Sequence, residues 1–334
     1  MNKMLFLDDA PDSKRAIMAK LADILGMKIH ICNPPEQSAG WVSQIDAQGG
    51  EQIDAIFIDH CLTVNGRGNV GVFRYGASLC GLLREKFCGV PIIGISAADE
   101  RSIAISERDE YVEFFDMRDI IKCAGVIKSI IDGFGLLRKV KRDGKAKGLP
   151  LTRLMKVPND LVDMVQMVMP IEIGQMDLSR REPVVYKWFK NYFFKYAGLV
   201  VDAETISARI GLCPTAFNTV LASKLKKYRY DGIFADVAVT HYWKSEVFAA
   251  LSDIVKDDGT MLLARYVDRL KVKRDQFASC PICGEKYTEV LAYDELNLSQ
   301  ECRHPAHRKC VEEVNVAIPN MYDPVYVLRG GVAR

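Results

Sequence analysis

Long apolar runs are missing from this chain: no stretch approaches the ~20 apolar residues that a membrane-crossing helix requires. A strong charge of either sign is missing too. Lys and Arg number 45 against 43 Asp and Glu, a formal net charge of +2, so the whole molecule carries no electrostatic instruction towards nucleic acid or a membrane. The opening MNKMLFLDDAPD has no apolar run followed by a small-residue cleavage site, which predicts no signal peptide and a cytoplasmic location. Internal repeats and low-complexity segments are also lacking, and 334 residues suffice for two or three domains with their own cores. Histidine is scarce, yet two of the 5 fall in ECRHPAHRKC (301–310).

Cysteine is not scarce. In a reducing compartment the 10 cysteines are expected as thiols or metal ligands rather than disulfides. Cys32, Cys61, Cys80, Cys88, Cys123 and Cys213 stand scattered in apolar contexts and read as small core residues.

Residues 1–137 alternate short apolar runs with amphipathic stretches. MLFL (4–7) ends in Asp8 and Asp9, AIFID (55–59) in Asp59, and PIIGIS (91–96) in Ser96, with helical patterns at 12–25, 77–87, 100–108 and 119–137. This predicts an α/β domain, a doubly wound parallel sheet with helices on both faces. LRKVKRDGKAKGLP then breaks the pattern, and 138–150 reads as a basic linker. From 151 to 275 the chain reads as an all-α domain, with apolar stripes in REPVVYKWFKNYFFKYAGL and AVTHYWKSEVFAALSDIV. Residues 276–334, a short block rich in Cys and His, are expected as a small zinc-stabilised α+β module.

In parallel α/β sheets, function collects at the carboxyl ends of the strands. Asp8, Asp9 and Asp59 converging there repel one another unless a cation sits among them, and oxygen ligands of this kind suit Mg²⁺. A carboxylate beside such a cation can accept a phosphoryl group. The constellation LFLDD, IFIDH, IIGISA resembles the bacterial response-regulator receiver domain, and RYGASLCGLLREKF resembles its Gly-led helix. The resemblance implies a five-stranded flavodoxin-like fold, Asp59 as phosphoacceptor, Asp8, Asp9 and Asp59 as Mg²⁺ ligands, and Ser96 as the hydroxyl that follows the phosphoryl group. It also implies a protein partner, a histidine kinase or an effector. The family's Lys after the fifth strand is replaced by Asp116, with Arg118 two residues on. The expected domain is therefore a weakly modified receiver, or a pseudo-receiver used for docking or for a homodimer.

DAETISARIGLCPTAFNTVLASKLKKY (202–228) has two helical segments broken at Gly211, the spacing of a helix-turn-helix. Thr215, Asn218, Thr219 and Lys224 would be its DNA contacts, but with no Arg or Gln on the reading helix the inventory for base contacts is thin. Helical hairpins with a Gly turn are common in α-domains, and the aromatic residues that follow, Tyr228, Tyr230, Phe234, Tyr242 and Trp243, read as core or a partner surface.

The last block is spelled C-x2-C-x18-C-x-H-x2-H-x2-C. Cys280 and Cys283 on a tight turn, with His307 and Cys310 at a helix start, predict one structural, tetrahedral Zn²⁺ in a treble clef built on a hairpin. Cys302 and His304 remain open as substitutes for His307. The string also resembles the first six ligands of the RING-type zinc finger, which implies the same four at one zinc. No Cys or His follows Cys310, so the second RING site is incomplete and one zinc is expected. No complete catalytic set is present. The expected function is signalling, with a helical and zinc-bearing output that binds a protein as an adaptor. The alternative is a DNA-binding response regulator, and the third reading a zinc-dependent ligase- or nuclease-like effector.

Overall fold

The computed structural model describes residues 2–8, 11–32, 43, 53–62, 75–97, 103–142, 151–170, 173, 182–195, 198–255, 269–295, 297–299, 302–314 and 324–328. Asp9 and most of the basic segment, residues 143–150, lie outside them. By internal contacts the chain divides into two compact units: Met1–Leu154 with Ile171–Lys187, and Met155–Pro170 with Trp188–Arg334.

The first unit is the α/β fold expected from the alternating pattern. Five strands, β1 (Lys3–Leu7), β2 (Lys28–Cys32), β3 (Ile53–Asp59), β4 (Ile92–Ser96) and β5 (Glu113–Asp116), pair in parallel in the order β2-β1-β3-β4-β5. Because successive side chains point to opposite faces, each central strand feeds two cores. Met4, Phe6, Ala55, Phe57, Ile93 and Ile95 face helices α1 (Pro11–Leu25) and α4 (Ala124–Arg142), meeting Met18, Leu21, Ala22, Ile127 and Ile131. Leu5, Leu7, Ile56, Ile58 and Ile92 face α2 (Gly76–Lys86), meeting Leu79, Cys80 and Leu83. The i, i+3, i+4 spacing of Met18, Leu21 and Ala22 is what seats α1 on the sheet. A four-residue helix, α3 (Ile105–Arg108), precedes β5.

Gly94 sits in the middle of β4, where a Cβ would come within 2.5 Å of the Phe114 ring and 2.7 Å of Tyr111. Both rings are buried, so neither can swing away. Gly94→Val is expected to cost about 1–3 kcal/mol through overpacking. Urea unfolding of the full chain measures it, and an unchanged midpoint would show that the rings yield.

The second unit combines short helices with two small sheets, so the all-α reading of 151–275 holds only in part. It holds α6 (Val162–Val168), a π-helical turn Phe189–Phe193, α8 (Ala203–Arg209), α9 (Phe217–Val220), α10 (Ala222–Leu225) and α11 (Lys244–Val255). Two further helices, α5 (Leu151–Leu154) and α7 (Glu182–Trp188), fall wholly or mainly in the first unit. The helical reading of 238–255 needs one correction. His241–Trp243 form a strand, β7, antiparallel to β6 (Val200–Asp202), and the helix begins only at Lys244. Tyr242 and Trp243 are bulky, strand-favouring residues whose burial in the ribbon outweighs the helical period. Tyr230, Phe234, Tyr242 and Trp243 are core, with Phe193 and Tyr230 among the rings packed edge to face.

In the same unit a four-stranded sheet has the order β10-β11-β8-β9, from β8 (Val290–Asp294), β9 (Arg303–Ala306), β10 (Glu312–Val314) and β11 (Val325–Leu328). β8 and β9 form a hairpin, but its second strand lies beyond Cys302 and carries His304, instead of falling within the 285–301 segment expected to make it. The expected helix start at 307 is absent. Arg308–Cys310 make one 3₁₀ turn, Val311 is extended, and Glu312–Val314 pair with Val325–Val327 of β11. The extended β-branched residues Val311 and Val314 favour that ladder over a helix.

Candidate functional site

The strand order reverses between β1 and β3, which opens a crevice at their carboxyl ends. Asp8 follows β1 and Asp59 ends β3, and both are buried. Ser96 ends β4, one residue beyond the Ile95 that pairs with Asp59, and is buried as well. The structure thus brings Asp8, Asp59 and Ser96 to one edge of the sheet. Gly76, at the start of α2, donates its N–H to the His60 carbonyl at 2.9 Å. A Cβ there would lie 2.5 Å from the Asp59 carbonyl, so only glycine allows this approach.

The cation in this crevice comes from a residue the sequence reading passed over. Lys14, in the first turns of α1, donates from Nζ to Asp59 Oδ2 at 2.8 Å and is ion-paired with Asp8 Oδ2 at 3.0 Å. Burial by itself lowers its pKa, but the contacts with Asp59 and then Asp8 more than reverse this, holding the ammonium above its ordinary value. A visible signal existed: a lysine six residues after Asp8, just inside a helix that opens with Pro11.

At the end of β5, Asp116 lies opposite Ser96, where the receiver pattern has a lysine. Arg118 engages it, donating from its backbone N at 2.8 Å and from Nε to both carboxylate oxygens at 2.9 Å. Those side-chain and backbone hydrogen bonds lower the Asp116 pKa to about 2. Two buried carboxylates at adjacent strand ends suit a hard, oxygen-seeking Mg²⁺. They fit it on one condition, that the Lys14 ammonium leaves the gap between them.

The Cys–His block supplies a second site. Ligand atoms of Cys280, Cys283, His307 and Cys310 all lie within 4.8 Å of one another, a group that could hold a metal ion. Two tight turns bring them together. Cys280 accepts at its carbonyl from Gly284 N at 2.9 Å, in a turn closed by Gly284 at φ +75, and Cys310 N donates to the His307 carbonyl at 2.9 Å. His307 presents Nδ1 to Cys283 Sγ at 3.1 Å and has Nε2 at 3.1 Å from the Lys286 carbonyl. A metal on Nδ1 requires the proton on Nε2, and the Lys286 carbonyl accepts it, the arrangement that orients ligating histidines. Burial raises the Cys280 pKa, but backbone N–H groups of Cys283, His307 and Ile282 outweigh it and bring the thiol down to about 7. Three sulfurs and a nitrogen in a closed set are the donors of a structural Zn²⁺. Cys302 and His304, the open alternatives to His307, point elsewhere: Cys302 Sγ accepts from Asn297 Nδ2 at 3.3 Å, and His304 Nε2 pairs with Asp294 at 3.2 Å.

One buried ion group ties this module to the helical part of the same unit. Arg303, on β9, pairs from Nη1 with Asp202 Oδ2 at 2.7 Å and from Nη2 with Glu204. Asp202 is also the N-cap of α8, accepting from Thr205 N at 2.8 Å. Burial raises the Asp202 pKa, but Arg303 and the Thr205 N–H carry it below its ordinary value. Its contribution to stability is therefore complete above the unfolded value of about 3.9 and is lost as pH falls through the folded one.

The proposed DNA-reading segment is interrupted. α9 ends at Val220, Leu221 takes φ −120, and α10 restarts at Ala222, giving two four-residue pieces instead of one helix. Asn218, Thr219 and Lys224 are exposed on them and Thr215 on the 3₁₀ turn Pro214–Ala216 before them, with Thr219 donating to the Ala216 carbonyl at 2.9 Å. Of the cysteines read as core, Cys32 and Cys80 are buried, Cys88, Cys123 and Cys213 are half-buried, and Cys61 is exposed in an isolated antiparallel bridge with Tyr75. Among the described residues no helix is long and apolar enough to cross a membrane.

No family model matches the chain, and no curated protein matches it. Several solved structures do. A response regulator, TrrA from Thermotoga maritima in complex with Mg²⁺–BeF, covers 37% of this chain and 99% of its own at 15% identity and a TM-score of 0.27. A response regulator receiver domain protein from Clostridium thermocellum covers 37% and 91% at 12% identity and 0.27. The signal receiver domain of a DNA-binding response regulator from Colwellia psychrerythraea 34H covers 40% and 99% at 15% identity and 0.29. Scores at this level carry no argument alone; the flavodoxin-like fold rests on the strand order β2-β1-β3-β4-β5 and its two helical faces.

Proposed function

We propose that the chain is a signalling protein whose first unit is a receiver-type input domain and whose second unit is a zinc-stabilised output that binds another protein. The observation that carries this reading is the meeting of buried Asp8, Asp59 and Ser96 at the carboxyl edge of the sheet. In it Asp59 is the phosphoacceptor, Asp8 and Asp59 (with Asp9, outside the described residues) hold Mg²⁺, and Ser96 orients the transferred group. Mg²⁺, when bound, offsets the charge of the phosphoryl oxygens. A histidine kinase or a small phosphodonor supplies the group, and the receiver surface also serves docking or self-association. Cys280, Cys283, His307 and Cys310 hold one Zn²⁺ in a structural role. The adaptor reading is favoured over DNA binding because the presumptive reading helix is broken at Leu221.

The test is phosphoryl labelling with acetyl phosphate and Mg²⁺, followed by mass mapping. The wild-type chain is expected to carry the group on Asp59, and Asp59→Ala is expected to lose it entirely. Labelling that persists in the variant, or maps to another residue, rejects the assignment.

A further inference from the structure

Lys14 touches an oxygen of each carboxylate, 2.8 Å from Asp59 and 3.0 Å from Asp8, in the gap that a bridging divalent cation would fill. A metal on the same two oxygens sits at ~2.0–2.1 Å from each. The ammonium and the metal therefore cannot occupy the gap together: their separation would fall inside contact distance, and like charges there repel. The Lys14 side chain keeps 15% of its surface open, so it has a way out to solvent. Across the crevice Asp116 is engaged by Arg118, which leaves Lys14 as the side chain the structure places on Asp59 from α1.

We propose that Lys14 is a tethered counter-cation that holds the place of the divalent metal between Asp8 and Asp59, so that metal enters only when Lys14 swings out. The idea rests on the reading of this crevice as a metal-assisted phosphoacceptor site, and it makes Lys14 a built-in brake on that site. Two buried carboxylates are offset by one lysine charge at rest, and by two metal charges once the lysine has left. The crevice is thus formed before metal arrives, with half of its carboxylate charge already offset. It responds to metal only after paying for the displacement of an ion pair.

The experiment measures Mn²⁺ affinity of the full zinc-loaded chain by the paramagnetic signal of free Mn²⁺. Lys14→Met is expected to bind Mn²⁺ about tenfold tighter than wild type or more, since it removes a nearby like charge. Asp8→Asn placed in that background is expected to abolish the gain. Equal or weaker binding in Lys14→Met overturns the brake and leaves Lys14 an ordinary ion pair, while the phosphoacceptor reading survives. Failure of either protein to bind Mn²⁺ at all overturns both. Should Lys14→Met not fold, Lys14→Gln, whose amide still donates to Asp59, replaces it: tighter binding than wild type supports the brake, and equal binding overturns it.

Discussion

Cys280→Ser is expected to strip the metal and unfold the last module while leaving the first unit intact. The reason lies in how little else holds that module. Its core is two small clusters, Cys280, Ala292, Ala306 and Leu328 around the site and Tyr293, Val325 and Val327 beside it, with Cys310, Val311 and Tyr326 half-buried against the first. Apolar burial on this scale contributes less than the metal does, at about 1.5–3 kcal/mol for each large side chain. Structural Zn²⁺ supplies roughly 10–16 kcal/mol of apparent binding energy in small zinc modules, and binding energy there is folding energy. Metal analysis should find one zinc per wild-type chain and none in the variant. Amide exchange between 280 and 314 should rise to that of an open chain, and a chelator should reproduce the change in wild type. Two zincs per chain, or exchange that ignores the chelator, would overturn the single structural site.

Arg303→Ala should be nearly as damaging, by about 3–5 kcal/mol, because removing one partner of a buried pair strands the other. Asp202 is 3% exposed, and with Arg303 gone its carboxylate keeps only the Thr205 N–H and its neighbours on the ribbon. Adding Asp202→Asn to the variant should recover part of the loss, since the amide still accepts from Thr205 without a stranded charge. Urea unfolding of the full chain measures both steps. A loss below ~1 kcal/mol would mean that water reaches the pair and that it behaves as a surface bridge.

Much of the first unit was legible because its physics is local and repetitive. Three apolar runs ending in polar residues mark β1, β3 and β4, and the placing of Asp8, Asp59 and Ser96 follows from strand ends alone; β5 was located only through the receiver resemblance. β2 escaped notice: KIHIC alternates Ile29 and Ile31 with Lys28 and His30, a half-buried edge strand whose weak apolar signal is easily overlooked. Lys14 escaped for another reason. Its contacts with Asp8 and Asp59 exist only once β1 and β3 are neighbours, a long-range fact that no spacing within α1 reveals. The grouping of Cys280, Cys283, His307 and Cys310 was readable from spacing, yet its scaffold was not. Val311 and its neighbours commit to β10 because β11, more than ten residues on, offers a ladder. The broken segment at Leu221 is similar: Phe217, Leu221 and Leu225 share one helical stripe, and packing them into one core is achieved by two short pieces instead of one helix.

The way the chain is divided between its two units has a consequence for synthesis. The first unit borrows Ile171–Lys187, where Tyr186 donates to Glu113 at 2.7 Å and packs its ring against Phe134. A ribosome adding about 5–20 residues per second has therefore already released 155–170, which belong to the second unit, before the first can close. The acidic crevice is spelled out by residue 96, but the body that buttresses β5 is finished only when residue 187 emerges. A nascent chain stalled between those points carries every residue of the input site without the complete support behind it.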